Sequence, residues 1–149
     1  MNGLKIVASI ALALGAIAPQ LAFGQAHELS RGRFTLRSST VESRSISPSV
    51  ARTHGFSPER DLAILNVTVF AKNNKGRKSV PAVVTASAKN LAGVAREIQL
   101  SPVRENRSVS YFGTYHHLPN EVLDFTITAR IGRSSPPLTL RYRDRLGIR

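Results

Sequence analysis

Four histidines, nine acids and a large excess of arginine are the side chains with which this chain could do chemistry. His116-His117 comes first, because imidazole nitrogens bind metals and move protons. A metal centre needs three or four ligands, and adjacent strand residues point to opposite faces. Only one of the pair can enter a given site. His27 and His54 lie far away in sequence, and no H-E-x-x-H or comparable spacing occurs. The pair is therefore expected to serve surface or loop packing, with no metal and no other cofactor. Paired-carboxylate hydrolysis needs two acids held across a cleft. Asp124 instead alternates with Thr126, Thr128 and Arg130 and is expected to pair with an arginine across strands. There is no G-x-S-x-G elbow and no phosphate-binding glycine loop. The chain has no cysteine, which removes thiolate nucleophiles, thiolate metal sites and disulfides. No catalytic residue is expected.

The arginines carry the positive hypothesis. Lys+Arg is 21 against Asp+Glu 9, a formal net charge of +12, and most of the cations are arginine. Such a field attracts anions. Arg130, Arg141 and Arg143 are expected on one outward strand face beside Thr126, Thr128 and Thr139, with Arg133 and Arg145 at its ends. Guanidinium forks would bind carboxylate or phosphate there. The plainer role is a solvated strand face. There is no run of five or six like charges and little aromatic interleaving, so no specific nucleic-acid partner is expected.

The elements that must position these residues alternate at period two. Ala63, Leu65, Val67, Val69 and Ala71 oppose Asn66, Thr68 and Phe70, with Ile64 out of pattern. Val80 to Ala88, Leu123 to Ile131 and Leu138 to Tyr142 repeat the alternation, the signature of half-buried antiparallel strands. Asn73-Asn74-Lys75-Gly76 marks a hairpin, and further breaks fall at Asn90 to Gly93, Glu105 to Arg107, Leu118 to Asn120 and Gly132 to Pro137. Seven strands are expected, at about 33–43, 62–71, 80–89, 94–101, 108–116, 122–131 and 137–144, folding as a two-sheet sandwich. One short helix interrupts the first inter-strand connection, with Ser47 as N-cap, Pro48 at the first position and Gly55 at C′. Val50, Ala51 and His54 share its face. It is expected to lie as a lid over an open end of the sandwich, with a ligand-gating loop as the alternative. Asn66-Val67-Thr68 and Asn106-Arg107-Ser108 match the glycosylation triplet by chance, Asn66 being mid-strand.

The first 26 residues are of another kind. Lys5 precedes an apolar run from Ile6 to Ala18, Pro19 breaks it, and small residues follow. This is the pattern of a secretory signal peptide cleaved after Gly24 or Ala26. The run is too short to span a bilayer, which needs roughly 17–25 residues. The expected organisation is a signal peptide at 1–26 and a single β-sandwich domain at 27–149, periplasmic or secreted, with no transmembrane anchor after cleavage.

Ala88-Lys89-Asn90-Leu91-Ala92-Gly93, followed by Val103-Arg104-Glu105 and Val109-Ser110-Tyr111-Phe112, makes a recognisable series. Upstream stand Ser47-Pro48-Ser49-Val50-Ala51, His54-Gly55-Phe56, Arg60 and Ala63 to Val67. The series resembles a family of short exported proteobacterial proteins known only as a domain of unknown function. The resemblance spans about Arg33 to Leu146. It implies a periplasmic, immunoglobulin-like sandwich and supplies no reaction, ligand or catalytic residue. His54-Gly55 stands where the family pattern has tyrosine-glycine. Any shared family surface would involve Asn90, Gly93, Arg104, Glu105 and Tyr111. Each also has a structural role open to it: Asn90 and Gly93 in a tight turn, Arg104 and Glu105 as pairs for strand ends, Tyr111 as a core-and-rim anchor.

The expected function is a non-catalytic binding or interaction module of the cell envelope, contacting an envelope protein or an anionic polymer. The alternatives are an envelope hydrolase with a site near His54 and His116, and an assembly chaperone acting through a sheet edge.

Overall fold

The computed structural model describes residues 25–147. The expected leader lies outside the described residues except for Gln25 and Ala26. Among the described residues ten strands form two antiparallel sheets. The larger sheet holds β1 (His27–Arg31), β2 (Phe34–Glu42), β3 (Leu62–Asn73), β4 (Gly76–Ser79), β7 (Ser101–Glu105) and β8 (Ser108–His116). Its order is β1-β2-β3-β8-β7, with β4 paired to β3. The smaller sheet holds β5 (Val83–Asn90), β6 (Ala95–Ile98), β9 (Val122–Arg130) and β10 (Leu138–Arg145), in the order β10-β9-β5-β6.

The period-two residues do what strand geometry requires. Leu65, Val67 and Val69 from β3 meet Leu123, Phe125 and Ile127 from β9 in one core shared by both sheets. Phe125 is 1% exposed, and truncating a phenylalanine so buried costs about 3–5 kcal/mol. Hydroxyls cross between the sheets as well. Tyr142 of β10 meets Ser38 of β2 at 2.9 Å across the two sheets, and within the larger sheet Tyr115 of β8 donates to Thr40 of β2 at 3.2 Å. This is why β2 turns Ser38 and Thr40 inward where an apolar pattern would be expected: buried phenols need partners.

The strand count of seven is corrected to ten. β1 and β4 were missed because His27–Arg31 and Gly76–Ser79 lack apolar alternation. They are edge pieces whose backbone pairing, rather than side-chain burial, holds them. The stretch expected at 94–101 is two strands. It crosses between sheets at Gln99-Leu100, and Pro102 is accommodated because β7 is an edge. Residues 80–82 form the crossover before β5 rather than its start. A Cβ on Gly113 would collide with the carbonyl of Gln99, so glycine lets the second crossover lie against β8.

The loops follow turn chemistry. Asn74-Lys75 joins β3 to β4 as a two-residue hairpin loop. Asn106 (φ 45°) and Arg107 (φ 69°) join β7 to β8 with both residues left-handed, the pattern of a type I′ turn. The short helix α1 (Pro48–Thr53) has Ser47 as its N-cap and Pro48 in its first turn. It closes with a Schellman motif, in which Gly55 N–H donates to Arg52 O and Phe56 N–H to Ala51 O. It rests on the outward face of the larger sheet, not over an open end.

Candidate functional site

The arginines expected on one outward face divide between two places. On the outward face of the smaller sheet, Arg141 stands opposite Thr126 and Arg143 opposite Asp124, as the alternation predicts. Asp124 and Arg143 form a two-pronged pair at 2.7 and 2.9 Å. Hydrogen bonds from Arg143 hold the Asp124 carboxyl below the usual carboxylate range, and the same pairing raises Arg143. The charge of Arg143 is thus spent inside the sheet. Arg141 remains, sharing an open depression with Lys89, Ser87 and Thr126.

Arg130 leaves that group. It lies four residues along β9 from Thr126, roughly 13 Å away at strand rise. There it faces Val83 across strands and lines a second open depression, of about 610 Å³, together with Arg104 and Arg133. Three elements deliver these guanidiniums: β7, the end of β9 and the β9–β10 loop. Tyr111 fixes the floor. Its hydroxyl donates to Ala82 O at 2.7 Å and accepts from Ala82 N–H at 2.8 Å, pinning the crossover into β5. Among the described residues, Arg104, Arg130, Arg133 and Arg141 have no acidic partner within ion-pair distance. Among the described residues neither Arg104 nor Glu105 makes an ion pair. Arg104 joins the basic depression, while Glu105, on the opposite side of the strand, buries an oxygen with no hydrogen-bond partner.

Asn90 and Gly93 build a turn. Asn90 Oδ1 accepts from Val94 N–H at 2.9 Å, and Gly93 holds φ at 83°. The histidines separate as strand geometry demands. His116 is exposed, while His117 is buried with its ring between Glu42 (3.1 Å) and the Leu118 carbonyl (3.0 Å). His27 stacks on Tyr142 at 3.8 Å. Among the described residues no three His, Cys, Asp or Glu side chains gather as metal ligands would.

The connection that carries α1 makes a third feature, over a sheet face rather than an open end. The segment from Ser43 to Glu59 arches over the outward face of the larger sheet and is closed at its base by Ser43. The Ser43 hydroxyl donates to Glu59 O at 2.8 Å and accepts from Glu59 N–H at 3.0 Å. Beneath the arch is a cavity of about 210 Å³. Ile64, the residue out of pattern in β3, forms part of its floor and is 4% exposed. An apolar residue on the polar face of an alternating strand was the available signal that this face is covered.

The fold is thus a two-sheeted antiparallel β domain with a roofed sheet face and a basic end. The chain belongs to the DUF4426 family, a domain of unknown function, whose model matches residues 29–146. A DUF4426 family protein from Pseudomonas aeruginosa has the same fold, with a TM-score of 0.68 at 23% identity, over 81% of this chain and 94% of that one. FetP of uropathogenic Escherichia coli shares the fold more distantly. A copper-bound variant gives 0.58 at 13% identity, over 84% of this chain and 96% of that one. The as-isolated protein, recombinantly expressed in the periplasm of E. coli, gives 0.57 at 14% identity over 83% and 93%. No curated protein matches the chain.

Proposed function

We propose that this protein is an exported, non-catalytic binding module of the cell envelope, and that its basic end takes an anionic partner, a polymer or an acidic protein surface. One observation carries the reading: Arg104, Arg130 and Arg133, from three separate elements, converge on one depression without acidic partners among the described residues. Unpaired guanidiniums on a pinned backbone are preorganised for sulfate, phosphate or carboxylate groups. The leader pattern at 1–26 supports export. Among the described residues no helix is long and apolar enough to cross a membrane.

The strand order supports an immunoglobulin-like class. With β2, β3, β5, β6, β7, β8, β9 and β10 in the roles A, B, C, C′, D, E, F and G, the sheets run A-B-E-D and G-F-C-C′. The hydrolase reading has less support, since His54 and His116 share no cavity and no acid lines the one that holds His54. Strand addition has little edge to use. β6 has four residues, β7 contains Pro102, and β1 lies alongside β10, joined by Arg31 to Pro137 O and the His27–Tyr142 stack.

The test is dextran sulfate binding, with neutral dextran as control, by the protein and two triple variants of equal net charge. Replacing Arg104, Arg130 and Arg133 with serine is expected to weaken binding at least about tenfold. Replacing the exposed Arg44, Arg52 and Arg60 is expected to change it little, and binding should fall with added salt. Equal losses in the two variants would make the interaction a property of net charge alone and overturn the assignment.

A further inference from the structure

The cavity under the arch is independent of the basic end. Its floor is the outward face of β2, β3, β7 and β8, and its roof is α1 with the residues flanking it. Val41, Ile46, Val50, Ile64 and Phe112 make its wall apolar, and no lysine, arginine, aspartate or glutamate lines it. Ser101, Thr114, Asn66 and His54 interrupt that wall, and two of their atoms stand out. Asn66 Oδ1 and His54 Nε2 are both buried and have no hydrogen-bond partner. Asn66 is 8% exposed and sits opposite Phe112 across strands, in the middle of the floor. His54 reaches down from the roof, its ring 6.3 Å from that of Phe112. A buried polar group left unpaired destabilises the fold, and native proteins rarely leave two in one place.

A single ordered water could pair with both atoms, but a water occupies only about 30 Å³ of liquid, and most of the remaining wall is apolar. A dry apolar cavity of about 150 Å³ accepts benzene, while sites for drug-sized ligands begin near 300 Å³. The space of about 210 Å³ therefore suits one ring or a short branched chain. The absence of charged lining excludes an ion, whose desolvation nothing would offset. A hydroxyl can both donate and accept, which matches an acceptor on Asn66 and a ring nitrogen on His54. The roof is held in place by the Ser43–Glu59 clasp and the Schellman closure of α1, so the space exists before any ligand arrives.

We propose that this cavity is a binding site for a small neutral ligand with an apolar body about the size of one ring and a hydroxyl group, held between Asn66 and His54. The probes are phenol, toluene and benzoate, titrated while the NMR signals of Val41, Val50 and Ile64 are followed. Phenol is expected to shift these signals saturably. Toluene should bind about tenfold more weakly, and benzoate should not bind. In Asn66→Leu the preference for phenol over toluene is expected to vanish or invert. His54→Leu, altered in the roof rather than the sheet, serves as the second variant if Asn66→Leu does not fold, and it should narrow the same ratio. No saturable shift with phenol, equal binding of benzoate, or an unchanged phenol-to-toluene ratio in the folded variants would overturn the proposal.

Discussion

At the scale of single residues, the ionisable groups show which side chains are committed to the fold. Burial pushes the Tyr142 phenol up to about 12, with Ser38 as its hydrogen-bond partner, and pushes Tyr115 higher still. A raised phenol means that the folded state favours the neutral form. The stability it contributes is complete below the ordinary value near 10 and is lost as pH rises toward the folded value. Phenolate absorbance is thus expected to show Tyr142 ionising at about 12, with stability declining across the same interval. Ionisation of Tyr115 and Tyr142 near 10 in the folded protein would contradict the packing. Asp124 works in the opposite direction. Its carboxyl is held low chiefly by hydrogen bonds from Arg143, so its contribution is present above the ordinary carboxylate range and lost as pH falls through the lowered value. Arg143→Leu is expected to return the Asp124 carboxyl signal, followed by NMR through an acid titration, to an ordinary midpoint. An unmoved midpoint would mean that the pair does not form in solution.

Two elements can be tested by their closures. Gly113 lets the β6–β7 crossover lie against β8, and an alanine there would press on the backbone of Gln99 as well as on Ile98 and Leu100. Gly113→Ala is expected to lower stability by about 1–3 kcal/mol in denaturant unfolding. A neutral effect would mean that the crossover has room to shift. The arch from Ser43 to Glu59 is held at its base by one hydroxyl that both donates and accepts. Ser43→Ala removes both part-buried hydrogen bonds to the Glu59 backbone and is expected to cost about 1–3 kcal/mol. Faster amide exchange confined to residues 46–56 would locate the effect, whereas unchanged exchange there would show that the roof is held by apolar packing alone.

For the whole molecule, the strong positive charge is expected to govern association, with local geometry deciding where. Glu28, Glu121 and Asp124 each engage arginines, while the cations at the basic end stay without acids among the described residues. The leader pattern makes a separate prediction. When the full chain is expressed in a bacterium, intact mass is expected to place the mature N-terminus at Gln25 or His27 in the periplasmic fraction. A product that stays intact from Met1 in the cytosol would overturn the export reading.

By itself the sequence determined the class of fold, the long strands, the short helix with its caps, the hairpin at Asn74-Lys75 and the pairing of Asp124 with an arginine. Each is local, written in a period of two, a cap residue or a cross-strand neighbour, and so can be read without knowing what lies elsewhere. The family was legible for the same reason, in runs such as Asn90 to Gly93 that build particular turns. Only the tertiary structure decided the rest. β1 and β4 exist because a partner strand offers backbone groups, not because their side chains carry a pattern. Arg104 and Arg130 meet because two sheets end at the same place, although 26 positions separate them in the chain. Asn66 looked like an ordinary outward residue of an alternating strand, and Ile64 beside it like an error in the pattern. Both make sense once a segment from the preceding connection folds over that face, because burial depends on what arrives from elsewhere in the chain and not on the strand that bears the residue.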